Sequence, residues 1–282
     1  MTELAIDTDL HHRLTDLDER LRELGSVMVA FSGGADSAFL LAAAVRALGA
    51  ENVVAATAVS PSLPATELEQ AAEFARGQGV RHVTPSTDEL SRRGYAVNGP
   101  DRCFHCKAEL LDVLMPLRAD LDVQTVATGT NADDVRAGFR PGIRAAANAG
   151  AVTPLCDAGL TKEQVREASR TWGLVTADKP AAACLSSRVA YGIGISRERL
   201  GRIERAERDL RTSMTQAGLP VRNLRVRDLG DHARVEVDRE LVGALTERAD
   251  LLDAVSEFDA VEIDPDGFRS GSMNDALRKG ST

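Results

Sequence analysis

The stretch AFSGGADSAFL, residues 30–40, joins two apolar segments of different length. The segment at 27–31 is short and apolar, which predicts a buried strand. The segment at 38–45 is longer and rich in alanine, which predicts a helix. The stretch is therefore a turn from a strand into a helix, where backbone N–H groups and the positive end of a helix dipole point at one place. Such a place suits an anion, most often phosphate.

Within this turn, each polar or small residue has a candidate role in holding phosphate. Gly33 and Gly34 permit backbone conformations that other residues resist, and they let a phosphate approach the main chain closely. Ser32 and Ser37 offer hydroxyls to phosphate oxygens, and Asp36 can position a metal ion or orient the loop. No Gly-Lys-Ser/Thr follows, so this is not the Walker pattern.

Composition and charge narrow the class of protein. The 282 residues suffice for one large domain or two smaller ones, and 43% of them are hydrophobic. The formal net charge of −9 argues against a broad nucleic-acid or anionic-membrane footprint. No apolar run approaches the roughly 18 residues of a membrane span, and the first residues lack the apolar segment of a signal peptide. We therefore expect a cytoplasmic protein with no nucleic-acid and no membrane partner.

Predicted strands and helices alternate through the first part of the chain. This alternation predicts an α/β fold with a parallel sheet covered on both faces. Ligands of such folds bind beyond the carboxyl ends of the strands, where the SGGADS turn, Ser60 and the segment GTNADD at 129–134 all fall. The predicted strands are 27–31, 53–59, 80–83 and 123–127.

Two helix starts and one irregular segment are also predicted. Thr66 with Glu69 and Thr161 with Gln164 are capping-box patterns, and each precedes a predicted helix. Residues 134–157 are rich in Gly, Ala and Pro, which predicts irregular structure.

The pattern changes after about residue 194. A charged helix beginning at Ser196, a hairpin around Gly230 and a strand at 260–263 predict a small α+β unit. We therefore expect two domains, with boundaries at 1–194 and 195–282.

The polar segment GTNADD follows a predicted strand directly. Gly129, Asn131, Asp133 and Asp134 can contact nucleotide or a metal ion there, while an ordinary polar loop with a helix N-cap is the alternative. Arg140, in the FRPG sequence further on, is a candidate for binding a phosphate or for holding this loop.

Three of the four cysteines lie in patterns that carry chemistry. Cys103 and Cys106 form a CxxC pair, which fits a redox pair, half of a zinc site, part of an iron–sulfur site or two unliganded thiols. Cys184 follows a Pro/Ala run and precedes Ser-Ser-Arg; Arg188 there can activate the thiol or bind phosphate, and a small buried residue is the alternative. Cys156 is interpreted as a core residue.

Four segments together resemble one family. SGGADS resembles the pyrophosphate-binding loop of the PP-loop ATP pyrophosphatases, which split ATP between its α and β phosphates. The whole set resembles the LarE family, the ATP-dependent sulfur transferases of nickel-pincer nucleotide biosynthesis. The segments are SGGADS at 32–37, DRCFHCK at 101–107, GTNADDVRAGFRPG at 129–142 and CLSSRVAYGIGIS at 184–196.

The resemblance implies a substrate and a reaction. A family member adenylylates the carboxylates of pyridinium-3,5-biscarboxylic acid mononucleotide and replaces an oxygen of each with sulfur. ATP and Mg²⁺ are implied as cofactors, a cysteine matching Cys184 as sulfur donor, and a homo-oligomer as the assembly. Arg225 and Arg227 share one face of a predicted strand, and the resemblance assigns such arginines to the substrate phosphate; a solvated strand face is the alternative.

The CxxC pair separates this chain from the single-cysteine form of the family. In that form the donor cysteine gives up its own sulfur and becomes dehydroalanine. Three thiolates, from Cys103, Cys106 and Cys184, resemble the members that hold a 4Fe–4S cluster, whose open iron can carry a sulfide from an external sulfur donor. We favour the cluster over sacrifice of Cys184. Zinc with His105 as a fourth ligand is the weaker alternative.

Three other functions remain open from the sequence. A tRNA thiolase of the same group also pairs a CxxC with a third cysteine, although the acidic balance argues against it. An ammonia-dependent ATP amidating synthetase would show no dependence on thiols. A nucleotide sensor would bind ATP without releasing pyrophosphate.

Overall fold

The structure is a computed structural model that describes residues 8–136, 141–180, 183–269 and 273. Its contacts group the chain into two compact units. The first comprises Met1–Ser60, Ala65–Glu89 and Cys103–Ala182, and the second comprises Pro61–Pro64, Leu90–Arg102 and Ala183–Thr282. The predicted boundary at 194/195 concerns independent domains and stays a prediction. The contact grouping differs from it, because residues 183–194 are grouped with the second unit.

A four-stranded parallel sheet forms the centre of the first unit. The strand order is β3-β2-β1-β4, so the sequence order reverses between β1 and β4. This confirms the predicted parallel α/β arrangement, although the strands are shorter than the apolar runs suggested. They are β1 (Val27–Ala30), β2 (Val53–Ala56), β3 (Arg81–Val83) and β4 (Thr125–Thr128).

Helices cover both faces of this sheet. Successive side chains of a strand point to opposite faces, so they pack into two different cores. Val27 and Val29 pack into a core with α1, α2 and α9, whereas Met28 and Ala30 pack into a core with α5. The helices of this part of the chain are α1 (Thr8–Glu23), α2 (Ala35–Leu48), α3 (Ala65–Gly77), α4 (Arg93–Ala96, in the second unit), α5 (Arg102–Asp120), α6 (Ala132–Arg136), α7 (Pro141–Asn148), α8 (Pro154–Asp157) and α9 (Lys162–Thr171).

The second unit contains a three-stranded sheet. The hairpin predicted around Gly230 is confirmed, since β5 and β6 are antiparallel, and β7 pairs with β6 in parallel. The helix predicted from Ser196 is also confirmed, and the Ser196 side chain caps it by accepting from the Arg199 N–H. The elements are α10 (Arg197–Gln216), β5 (Leu224–Asp228), β6 (Ala233–Val237), α11 (Val242–Glu247) and β7 (Val261–Ile263).

Local predictions around helix starts were partly wrong. Thr66 was predicted to cap α3, but the helix begins one residue earlier, at Ala65. The segment 134–157, predicted to be irregular, contains α7 and α8 and the end of α6. The capping box of Thr161 and Gln164 is confirmed, with both reciprocal hydrogen bonds present.

Short 3₁₀ turns lie at Ala50–Asn52, Glu89–Ser91, Leu185–Arg188, Arg239–Leu241 and Ala249–Val255. A search of the described residues finds no helix that is both long and apolar enough to span a membrane.

Candidate active site

The glycine turn leads directly from β1 into α2. Gly33 has a φ of +72°, a conformation that favours glycine, and Gly34 is the extended N-cap residue of α2. Because the N-cap residue is a glycine, no side chain of its own caps α2, and the Gly34 N–H donates to the Ser32 hydroxyl at 3.4 Å, a long bond that a ligand oxygen can replace. The hydroxyls of Ser32 and Ser37 lie 3.1 Å apart, and Ser37 also donates to the Gly34 carbonyl at 3.1 Å. The turn therefore has the geometry of a phosphate-binding site at a helix N-terminus.

Gly129, just after β4, lies directly against this turn. A Cβ at Gly129 would be 2.8 Å from the Ser37 nitrogen and 2.9 Å from its Cα. Only glycine therefore lets the end of β4 pack against the start of α2. The two predicted phosphate segments are neighbours because β1 and β4 are adjacent in the sheet. The strand order reverses at this point, and such reversals form ligand crevices in open α/β sheets.

Asp36 lies in the first turn of α2 with its carboxyl group largely buried. One carboxyl oxygen, Oδ1, has no hydrogen-bond partner among the described residues, and the carboxylate interacts with the side chain of Asn131. Burial raises the pKa of Asp36, while the charge of Lys162 and the bond from Asn131 partly oppose that shift. An unpartnered buried carboxyl oxygen beside this turn fits a divalent cation, which is one of the two roles that the sequence offers for Asp36.

The GTNADD segment acts mainly as a helix cap. The Asn131 side chain accepts from the N–H groups of Asp133 and Asp134, at 3.0 and 3.1 Å, as α6 begins. Asp133 accepts from the N–H of Lys162 at 2.9 Å, at the start of α9. The local role is thus the N-cap alternative, and the buried Asn131 also ties the segment to Asp36. The nucleotide or metal roles of the two aspartates remain predictions.

Ser60 follows β2 and its hydroxyl donates to Glu89. The distance is 2.6 Å, and Glu89 is buried. The Ser60 hydroxyl is therefore engaged within the first unit, and its predicted ATP contact remains a prediction. Arg140 falls outside the described residues.

Both cysteines of the CxxC pair lie at the start of α5, which begins at Arg102. Cys103 is exposed and Cys106 is half-buried; their spacing of three residues places them on the same helix face. Burial lowers the pKa of the adjacent Lys107, and Cys106 opposes that shift. Among the residues that the structure describes, no group of three His, Cys, Asp or Glu side chains forms a metal site.

Cys184 precedes a 3₁₀ turn of the second unit, and its main chain is firmly held. Its carbonyl accepts from the Arg188 guanidinium at 2.9 Å and from the Ser187 hydroxyl at 2.8 Å. Arg188 is buried and forms a two-point ion pair with Glu207, at 3.0 and 3.2 Å. Glu207 also accepts from the Val226 N–H at 3.0 Å, which connects the cysteine turn to β5. The half-buried thiol is therefore presented from a rigid turn.

Three arginines of the second unit lie close together around β5. Arg227 is buried and pairs with Glu236 on β6 at 2.6 Å. Arg225 donates to the Leu224 carbonyl at 2.7 Å and lies over the Phe268 ring. Burial and the charge of Arg188 are the main causes that lower the pKa of Arg225 to about 10. An anion beside Arg225 would relieve this repulsion.

Sequence reasoning missed the acidic partners and one lysine. Glu207 and Glu236 hold Arg188 and Arg227, yet they lie 19 and 9 residues away along the chain, where no local pattern marks them. Lys179 donates to the Gly33 carbonyl of the glycine turn, across 146 residues. These pairings depend on the register of the hairpin and on helix packing, which short motifs do not carry.

The relatives of this chain include one protein that is named for its product and two that are named as uncharacterised. It is 38% identical to an uncharacterised protein of Synechocystis sp. over 96% of this chain and 100% of that protein. It is 32% identical to the pyridinium-3,5-bisthiocarboxylic acid mononucleotide synthase of Lactiplantibacillus plantarum over 92% of both chains. An uncharacterised protein of Methanocaldococcus jannaschii is 24% identical over 82% of this chain. No protein-family model matches the sequence.

The parallel sheet with its glycine turn after β1 is the α/β fold of the PP-loop ATP pyrophosphatases. Within that class, the chain is similar to the L. plantarum synthase over nearly its whole length. The chain belongs to the LarE-like family.

Proposed function

We propose that this protein is an ATP-dependent sulfur transferase that converts the carboxylates of pyridinium-3,5-biscarboxylic acid mononucleotide to thiocarboxylates. The observation that carries the proposal is the 32% identity, over 92% of both chains, to a synthase named for that thiocarboxylate product. The glycine turn of the first unit and the arginines of the second supply the two phosphate-binding surfaces that such a reaction needs.

A carboxylate is a poor acyl electrophile because its leaving group would be oxide. In the proposed first step, a substrate carboxylate oxygen attacks the α-phosphorus of ATP and the bond to the β-phosphate breaks. The products are an acyl adenylate and pyrophosphate. The N–H groups at the start of α2 and the Ser32 and Ser37 hydroxyls would hold the departing pyrophosphate.

Mg²⁺ fits the same place, since Asp36 offers a buried carboxyl oxygen with no partner among the described residues. When bound, the ion would neutralise phosphate charge. Asn131 holds the Asp36 carboxylate through its side chain, and Ser60, Gly129, Asp133 and Asp134 complete the candidate nucleotide and metal residues.

In the second step, a sulfur nucleophile attacks the acyl carbon, the C–S bond forms and AMP leaves. Arg225 and Arg227 are proposed to hold the substrate phosphate. Arg225 is the stronger candidate, because Arg227 and Arg188 are already paired with carboxylates. Arg188 is instead assigned to the carbonyl of Cys184, which orients the thiol. Nothing in this step requires nucleic acid.

The sulfur source is proposed to be an iron–sulfur cluster that three cysteines hold. The pair Cys103 and Cys106 fits part of a 4Fe–4S ligand set, with Cys184 as the third ligand. Such a cluster would supply a transferable sulfide from an external sulfur donor. In the alternative, Cys184 forms a thioester with the acyl group; elimination across its Cα–Cβ bond then releases the thiocarboxylate and leaves dehydroalanine.

One experiment tests both the reaction and the sulfur source. The protein is purified without oxygen, reconstituted with iron and sulfide, and incubated with ATP and the pyridinium dicarboxylate. AMP, pyrophosphate and thiocarboxylate are quantified, together with iron content and the visible spectrum. We expect about four irons per chain, lost in Cys103→Ala, Cys106→Ala and Cys184→Ala.

Cys156→Ala is the matched control, because burial raises the pKa of that thiol and it belongs to neither motif. It should retain both iron and activity. Absence of iron, with Cys184 converted to dehydroalanine, would establish sacrifice instead. Failure to form AMP with this substrate would refute the proposed reaction.

A further inference from the structure

Lys179 makes two contacts that neither the ATP step nor the sulfur step explains. Its ammonium donates to the Gly33 carbonyl at 3.1 Å and lies 2.7 Å from a carboxylate oxygen of Glu67 on α3. Both side chains are largely buried. The ammonium therefore connects the glycine turn to a neighbouring helix.

Both ends of this connection are rigidly held. Arg166, on α9, donates to the carbonyls of Ala177 and Lys179 at 2.9 Å each, which fixes the backbone that carries the lysine. On the other side, a Cβ at Gly33 would lie only 3.3 Å from the Cβ of Ala71, so α3 packs closely against the turn. The lysine is thus pre-placed on the Gly33 carbonyl.

The Gly33 carbonyl and the Gly34 N–H belong to one planar trans peptide, so they point in opposite directions. A cation on the carbonyl fixes the plane of that peptide and polarises its N–H group. Gly34 is the N-cap residue of α2, and its N–H donates to the Ser32 hydroxyl at 3.4 Å, a long bond that a phosphate oxygen can replace.

We propose that Lys179 is a positioning residue that orients the Gly33–Gly34 peptide so that its N–H binds the phosphates of ATP. The inference rests on the ATP step of the proposed function and is independent of sulfur transfer. The alternative is that the lysine contacts a phosphate directly. In that case, removal of the lysine would leave the Gly33–Gly34 peptide unchanged.

The sequence allows a direct test, because residues 33–34 form the only Gly-Gly pair in the chain. Glycine labelled with ¹³C at the carbonyl and with ¹⁵N gives a single cross-peak, for this peptide, in a carbonyl-to-amide correlation spectrum. The spectrum is recorded without nucleotide for the full chain and for Lys179→Met, Lys179→Arg and Arg170→Met. The Arg170 variant is the matched control, because it breaks an exposed ion pair with Asp178.

We expect the cross-peak to move in Lys179→Met and to stay in place in the Arg170 control. Lys179→Arg keeps a cationic donor and should restore most of the signal position. Calorimetric titration with Mg-ATP should show about a tenfold loss of affinity in Lys179→Met, because a charge-assisted hydrogen bond is removed.

An unmoved peak overturns the proposal. If ATP affinity still falls in that case, the lysine contacts phosphate directly, and the ATP step itself stands. If the wild-type protein binds no Mg-ATP at all, the proposed function fails, and the role of Lys179 fails with it.

Discussion

Two regions of the molecule suit anions, and they are built in opposite ways. The glycine turn of the first unit offers main-chain N–H groups at the start of α2, with one buried carboxylate beside them. The arginine group of the second unit, Arg188, Arg225 and Arg227, offers side-chain charges, and two of the three are already paired with glutamates. The first region depends on backbone geometry and the second on charge balance.

This difference predicts how each region fails. A main-chain N–H cannot be removed by substitution at its own residue, so such a donor is weakened by added volume or by a shifted peptide. A charged cluster is damaged when one member of a buried pair is lost, because its partner is left buried and unpaired. Substitutions in the glycine turn and in the arginine group therefore test the two sides of this contrast.

The largest effect is expected from Gly129→Ala. The new Cβ would meet the Ser37 main chain at 2.8 Å, so the start of α2 must move. We expect Mg-ATP affinity, measured by calorimetry, to fall by about 100-fold or more. Gly77→Ala is the control, since nothing lies within 4 Å of a Cβ there. Unchanged ATP binding in Gly129→Ala would show that the turn is not the nucleotide site.

Arg227→Met should damage stability more than any single change at Arg225. It leaves Glu236 buried without its ion-pair partner, which costs about 3 kcal/mol of unfolding free energy. Urea unfolding followed by circular dichroism measures this loss. The double variant Arg227→Met with Glu236→Leu should recover most of it. If the double variant is as unstable as the single one, the buried pair is not the cause.

Arg225 should matter for binding rather than stability. Arg225→Met is expected to weaken binding of a pyridinium mononucleotide about tenfold while leaving the urea midpoint nearly unchanged. In the wild-type protein this affinity should decline as the pH rises through about 10, because the Arg225 charge is lost there. The decline should be absent in Arg225→Met. A pH profile identical in both proteins would assign phosphate binding elsewhere.

Asp36 should make the ligand-free protein less stable at neutral pH. Burial raises its pKa, so the folded state retains this proton to higher pH than the unfolded state. The free energy of unfolding therefore falls as pH rises from below the ordinary aspartate pKa through the raised one. Asp36→Asn should flatten that decline, gain about 1 kcal/mol at neutral pH and weaken Mg-ATP binding. Thermal melts across pH, without Mg²⁺, check the sign; an unaltered slope would contradict it.

The smallest effects are expected at two helix caps, one in each unit. Thr161→Ala removes a hydroxyl that accepts from the Gln164 N–H and donates to the Gln164 side chain, at 3.2 Å each, whereas Ser196→Ala removes a single capping bond. Each should cost about 1 kcal/mol, with the larger loss at Thr161. Urea unfolding of both variants tests the order. Equal or reversed losses would mean that the bond from the Thr161 hydroxyl to the Gln164 side chain contributes nothing.

Local patterns predicted much of the fold. The alternation of apolar runs correctly predicted the parallel sheet, and the Gly230 hairpin, the capping box at Thr161 and the helix start at Ser196 were also correct. These features depend on residues close in sequence. The Thr66 cap and the irregular 134–157 segment were wrong, because tertiary packing sets where short helices begin.

The sequence by itself determined the glycine turn and, through its motifs, the family, because an anion grip needs specific residues in one short run. Only the tertiary structure decided which groups around that turn act together. It placed Gly129 against Ser37, left an Asp36 oxygen unpartnered among the described residues and brought Lys179 to the Gly33 carbonyl. It also paired two arginines of the second unit with distant glutamates. Such contacts join residues far apart in the chain, and strand order and helix packing, not local spacing, set their distances.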